Sequence, residues 1–269
     1  MRFSILEFGM MKVDSNSIVD KTSVATLSNP TAPNKLIDIP IWGLLIQCEG
    51  HNIIYDLGCM DNAMTTGWRR NHQDGAPYFP MAGGTMEERL ASVGLTISDI
   101  DIVVVSHLHI DHFGCIEKFC HCEVYVPKEE WINAMMLVFG SSDESAHGGY
   151  YIRAMTTPVR QYHFIGVDED FDLFPGLRIL TLPGHTANLL GLMITTDNGE
   201  KYIFPSDAVY VPANIGPPTQ IPGYCFDPLA YTRSCEKLRR LIRETGATLV
   251  YSHDYTCFNT LKKVPDFYD

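Results

Sequence analysis

Short apolar runs bounded by Gly, Pro or Asp recur along the chain, the pattern of strands buried in sheets. They predict strands at Phe3–Phe8, Ile41–Gln47, Asn52–Asp56, Ile102–Val105, Val124–Val126, Arg178–Leu182, Leu190–Thr195, Lys201–Phe204 and Thr248–Tyr251. Helical patterns fall between them. Thr85-Met86-Glu87-Glu88 reads as a capping box opening a helix that runs to about Val93 and stops at Gly94. Asp227-Pro228 places an N-cap before a proline at the first helical position, and Tyr231, Cys235, Leu238 and Ile242 continue as one apolar stripe to Gly246. A third helix is expected over Lys128–Phe139. Met60–Gly84 and Gly140–Pro158 read as long loops of the kind that form lids or binding walls. Strands interleaved with helices predict a layered α/β or α+β arrangement, expected as a single domain over residues 1–269.

Charge and cysteine usage narrow the function. The 269 residues carry a formal net charge of −12 with no basic run, which opposes a nucleic-acid partner. The apolar stretch Ile39–Ile46 is far shorter than the ~20 residues a membrane span needs. The N-terminus holds Glu7 within its apolar part and lacks a small-residue cleavage site, so a cytoplasmic location is expected. Eight irregularly spaced cysteines then read as reduced thiols. Cys120-His121-Cys122 lacks the spacing of a zinc knuckle and no second pair follows nearby.

One constellation carries chemistry. Residues 106–112 read Ser-His-Leu-His-Ile-Asp-His, directly after a predicted strand. In extended chain His107 and His109 project to the same side, and Asp111 and His112 follow in the turn. A lone histidine is usually an ordinary core or surface residue, but four metal-capable side chains within six residues are not. Three more candidates sit at matching strand ends: His185 in Pro-Gly-His-Thr, Asp207 in Pro-Ser-Asp, and His253 in Tyr-Ser-His-Asp. If these ends share one sheet edge, five imidazoles and two carboxylates converge. That set suits two divalent metal ions with one bridging carboxylate and positions left for water and substrate. His51, His72, His121, His147 and His163 lack such context and read as ordinary.

The order H-L-H-I-D-H, P-G-H-T, S-D, S-H resembles the ligand series of the metallo-β-lactamase superfamily over about residues 40–255. Leu36–Gln47, Asp207-Ala208-Val209-Tyr210, Phe226-Asp227-Pro228 and Val264–Tyr268 look like the N-acyl homoserine lactonase branch. The resemblance implies a four-layer αββα sandwich with the site at one edge of its two sheets. It implies that His107, His109 and His185 hold one ion, that Asp111, His112 and His253 hold the other, and that Asp207 bridges them. Zinc is the favoured ion for such nitrogen-rich sets, with iron, manganese and cobalt as alternatives. It further implies lactone hydrolysis on a small-molecule substrate, with Tyr210 donating to the developing oxyanion and Asp111 moving a proton to the leaving group. Met10, Met11, Phe79, Met81 and Phe139 are candidate walls of an acyl groove.

Competing readings fit less well. A glyoxalase II-like thioesterase carries an extra helical region after the last ligand. A di-iron oxygen reductase would be expected to have Glu where His109 stands, and a phosphodiesterase would need a basic surface. A 4-pyridoxolactonase shares the branch and the chemistry. A non-catalytic binding module would typically have lost ligands, and all seven are present.

Overall fold

Twelve strands build two sheets in the structure, a computed structural model that describes residues 1–32 and 34–269. The strands are β1 (Arg2–Asp14), β2 (Leu36–Cys48), β3 (His51–Tyr55), β4 (Tyr78–Pro80), β5 (Ile102–Val104), β6 (Glu123–Pro127), β7 (Gln161–Ile165), β8 (Phe171–Phe174), β9 (Leu177–Thr181), β10 (Leu190–Thr195), β11 (Lys201–Phe204) and β12 (Thr248–Leu249). The first sheet runs in the order β4-β1-β2-β3-β5-β6-β7 and the second in the order β12-β11-β10-β9-β8. Both are mixed. The β3-β5-β6-β7 neighbours and the β11-β12 pair are parallel, and the remaining pairs are antiparallel.

Period-two alternation explains the layering. On β2, Leu44 and Ile46 face the second sheet, while Ile39, Ile41 and Leu45 face outward under helices. On β5, Ile102 and Val104 enter the inter-sheet core, and Val103 faces the other way. Across the gap, Ile179, Leu192, Ile194 and Phe204 complete that core. The outer face of the first sheet packs on Leu90 and Ala134, and that of the second on Tyr231, Cys235 and Leu238. Three cores between four layers are an αββα sandwich, as expected. Among the described residues no helix is long and apolar enough to cross a membrane.

The helix signals were accurate at their starts. Thr85 and Glu88 form the capping box of helix Met86–Ala91. The Asp227 carboxylate accepts from the amides of Leu229 and Ala230 to open helix Pro228–Thr245, and Gly246 closes it in a left-handed conformation. Other boundaries differ. The first strand extends to Asp14 because a bulge between Glu7 and Gly9 switches its faces, so odd residues point into the inter-sheet core before it and away after it. The two stretches read as loops hold short helices, at Arg70–Gly75 and Ile152–Met155, together with β4. The edge strands β7 and β8 gave no apolar run because most of their residues are half-exposed or exposed.

Candidate metal centre

Four chain segments deliver the seven predicted residues to one edge of the sandwich. Residues 106–112 leave β5 in a tight turn, in which the amides of His112 and Phe113 both donate to the His109 carbonyl. His185 follows β9 on a loop pressed against helix Pro228–Thr245: a Cβ on Gly184 would lie 2.3 Å from the Tyr231 backbone, and Gly184 has φ +136°. Asp207 lies in a 3-10 turn after β11, and His253 follows β12 with its amide on the Tyr210 carbonyl. All seven residues converge. The ligand atoms of His107, His109, His185 and Asp207 lie within 4.8 Å of one another, and so do those of Asp111, His112 and His253.

The separations test whether ions fit. Tetrahedral ligation with bonds of 2.0–2.1 Å spaces donor atoms by roughly 3.3 Å. His109 Nδ1 lies 3.0 Å from His107 Nε2 and 3.1 Å from His185 Nε2. Asp207 Oδ2 lies 3.6 Å from each of those Nε2 atoms. Its other oxygen, Oδ1, lies 3.4 Å from His112 Nε2 and 3.1 Å from His253 Nε2. Asp111 Oδ2 stands 3.4 Å from His112 Nε2 and 3.8 Å from His253 Nε2. Asp207 thus turns one oxygen to each trio. His112 Nε2 and Asp207 Oδ1 are buried without a hydrogen-bond partner, which a cation would satisfy. The donor set fits two divalent ions.

Outward hydrogen bonds fix which ring nitrogen is bare. The carbonyls of Tyr224 and Pro40 can only accept, so His185 and His253 carry their hydrogens on Nδ1, at 3.0 and 3.1 Å. The Asp56 carboxylate receives His112 Nδ1 at 2.8 Å. Ser106 Oγ donates to the same Asp56 oxygen at 2.8 Å, leaving its lone pairs to accept from His107 Nδ1 at 3.0 Å. Four Nε2 atoms therefore aim inward with Nδ1 as the outward donor, the arrangement that metal ligation requires once an ion displaces any inward proton.

The field is uneven. Burial lowers His107 well below the usual imidazole range, lowers His109 to about 3 and lowers His185, so this trio is neutral. At His112 and His253 burial is outweighed by carboxylates, chiefly Asp111 and Asp207 for His112 and Asp207 for His253, and both are raised. At Asp207, burial is in turn overcome by His112 and His253, which hold it well below its usual value. A cavity of about 10 Å³, room for one water, opens beside Asp111, His112 and His253 and is also lined by Trp42 and Ser252.

Tyr210 is buried with its hydroxyl 3.1 Å from His185 Nδ1. That nitrogen carries the hydrogen, so the phenol proton turns to the other side, where the Asp207 carboxylate is its facing acceptor and, with burial, raises the phenol well above its usual value. Sequence reasoning missed Asp56, although its apolar run ends in an acid at a strand end just as that of Asp207 does. It also missed Glu130, buried in the first turn of helix Lys128–Gly140, whose carboxyl burial pushes up to about 7. His72, read as ordinary, shares a hydrogen bond of 2.8 Å with Tyr151, while Arg69 lies over the Tyr151 ring and donates to the carbonyls of Gly148 and Tyr150. The two long loops are clasped together there. Cys122 is buried and Cys120 exposed, and among the described residues they join no ligand group. Of the candidate groove walls, Met11 is core, whereas Phe79, Met81 and Phe139 are exposed.

An αββα sandwich with two facing His/Asp sets at one sheet edge defines a dinuclear metallohydrolase class. The family model described as the metallo-beta-lactamase superfamily matches residues 38–253. The N-acyl homoserine lactonase AiiB of Agrobacterium fabrum is 33% identical over 98% of both chains. The N-acyl homoserine lactonase AiiA of Bacillus thuringiensis subsp. kurstaki is 24% identical over 90% of this chain and 92% of its own. Among solved structures, an N-acyl homoserine lactone hydrolase with N-hexanoyl-L-homoserine at its catalytic metal center superposes with a TM-score of 0.82 at 20% identity, covering 99% of this chain and 98% of that one. The dizinc quorum-quenching lactonase AidC, solved with its product, gives 0.65 at 18% identity over 98% and 92%. This chain belongs to the metallo-beta-lactamase superfamily, within the branch of the N-acyl homoserine lactonases.

Proposed function

We propose that the protein is a dinuclear metal hydrolase that opens the ring of N-acyl homoserine lactones, a quorum-quenching lactonase acting in the cytoplasm. The observation that carries this reading is the near-full-length likeness to lactonases at 33% identity, on a chain whose seven donors converge. His107, His109 and His185 are assigned to one ion, Asp111, His112 and His253 to the other, and Asp207 to both. Zinc suits the nitrogen-rich trio first, with iron, manganese and cobalt as the ions to compare on reconstitution.

When bound, the ions supply Lewis-acid polarisation of the ester carbonyl and an attacking water whose pKa is drawn toward neutrality. No serine or cysteine nucleophile is then needed. Asp111 is more open than Asp207, with side-chain exposures of 12% and 5%, and faces the same space. It takes the proton of the attacking water and returns it to the ring oxygen as the carbonyl carbon–oxygen bond breaks. The product is one hydroxy acid, because the leaving alkoxide is tethered. Tyr210 turns its phenol hydrogen from Asp207 to the carbonyl oxygen as negative charge develops there.

The test is a hydrolysis panel on zinc-replete protein: homoserine lactones with short and long acyl tails, 4-pyridoxolactone and a thioester. Acid release from the homoserine lactones is expected to dominate. Protein holding two ions that opens none of them, or that prefers the thioester, would overturn the reading.

A further inference from the structure

Glu130 is fully buried, yet its carboxyl forms no well-aligned hydrogen bond. The groups facing it are the amides of Leu108 and Ala187 and the hydroxyls of Tyr150 and Thr186. The Thr186 hydroxyl is already committed to the Asn188 carbonyl at 2.6 Å. Three donors therefore remain, and each belongs to a segment that shapes the first trio. Leu108 stands between His107 and His109, and Ala187 lies two residues past His185. The Tyr150 ring packs 5.4 Å from that of His109, and a Cβ on the adjacent Gly149 would lie 3.0 Å from His109 Cδ2. A buried carboxyl is costly, and it persists where the groups it gathers have no equivalent partner.

We propose that Glu130 is a positioning residue for the first trio: its carboxyl gathers the Leu108 amide, the Ala187 amide and the Tyr150 hydroxyl, and so sets the spacing of His107, His109 and His185. The role rests on the metal assignment above. The neighbouring Glu129 grips the same loop separately, accepting from Asn188 Nδ2 at 3.2 Å and the Val167 amide at 3.1 Å, so the loop keeps an anchor when Glu130 is changed.

The test uses cobalt(II) titrated into metal-free protein, read by visible absorption and by chelator competition. It is run in full-length wild type and in a His253→Ala background, which leaves only the first trio complete. Glu130→Leu keeps the volume and removes both acceptors, and Glu130→Gln keeps one. The expected result is a first-trio affinity about 10–100-fold weaker in Glu130→Leu with altered absorption bands, and a smaller, several-fold loss in Glu130→Gln. Glu130→Leu with the parent affinity and spectrum would overturn the proposal. If Glu130→Leu does not fold, Glu130→Gln decides alone: a several-fold drop supports the role and an unchanged constant refutes it. Wild type that takes up no cobalt would overturn the metal assignment instead.

Discussion

Asp56→Asn is the cleanest probe of how the site is held. Asp56 sits at φ +61°, a conformation that Asn tolerates as well as Asp, so the change introduces no backbone strain. It also conserves shape. What changes is the acceptor inventory. The carboxylate takes three hydrogen bonds: the Ser106 amide at 2.7 Å on Oδ1, with Ser106 Oγ and His112 Nδ1 both at 2.8 Å on Oδ2. An Asn amide group in the Oδ2 position points N–H at N–H. Turning the amide over only moves the conflict to the Ser106 backbone, which cannot rearrange. His112 relieves it by shifting its hydrogen to Nε2, the nitrogen that faces Asp111 and Asp207.

Binding an ion at the second trio must then reverse that shift and forfeit a hydrogen bond to a charged group, worth about 1.5–3 kcal/mol. At 1.36 kcal/mol per decade this weakens that ion by roughly 10–150-fold, in line with the ~10–100-fold cost of losing such partners. The first trio has no contact with Asp56 Oδ2 except through Ser106 and serves as the internal control. Chelator competition measures both constants, and long-range 1H–15N spectra report the His112 tautomer. Unchanged affinity at the second trio, or His112 still protonated on Nδ1 in Asp56→Asn, would refute the reasoning.

Four further outcomes are expected. Asp111→Asn lowers kcat by about 10²–10⁴-fold even after both ions are restored, and near-normal turnover in the fully loaded variant would reject the proton-transfer role. Tyr210→Phe, which keeps the ring packed, lowers kcat by about 10²–10³-fold if its hydroxyl serves the oxyanion; steady-state kinetics with an unchanged kcat would exclude it. Burial and the neighbouring Arg69 lower His72 to about 4. Its neutral form is favoured in the folded state, so its stabilising contribution is full above the unfolded value of about 6.5 and is lost as pH falls toward 4; the ring is half-exposed, which discounts the effect to about 1–2 kcal/mol. Limited proteolysis of the clasped loops should therefore accelerate over that window, and His72→Gln should flatten the dependence. Removing ions by chelation should lower Tm, since each ion at a thousand times its Kd contributes about 4 kcal/mol.

The ligands were legible because metal chemistry restricts them to a few residue types, and because each follows an apolar run that marks a strand end. The groups that aim them were not. Two of the acceptors are backbone carbonyls, at Pro40 and Tyr224, for which no side-chain identity gives a sign. His72 looked ordinary because its partner, Tyr151, is 79 residues away on the other long loop. In the fold, strands with two buried faces were visible as runs. β7 and β8 were not, because an edge strand with half-exposed faces has no apolar pattern to show. The full reach of β1 was hidden by its bulge, which breaks the alternation at Gly9.

The hidden acceptors tie the site to the sandwich. His253 follows β12 in the second sheet, yet its ring is held by Pro40 on β2 in the first. Beside it Trp42 Nε1 donates to the Ser252 carbonyl at 2.6 Å, again from β2 to the segment after β12. Tyr55 on β3 reaches the Leu190 carbonyl at 2.7 Å, and the Leu190 amide returns to the Ser106 carbonyl at 2.8 Å. Ser206 Oγ donates to Ser106 Oγ at 2.9 Å across the same seam. Each sheet therefore contributes ligands that the other orients. The spacings of the donor atoms are held by this seam, because sliding one sheet over the other would break buried hydrogen bonds on both sides. A site confined to one loop would have to order itself when the ions bind. Placed at the seam, it is ordered by the same packing that closes the inter-sheet core.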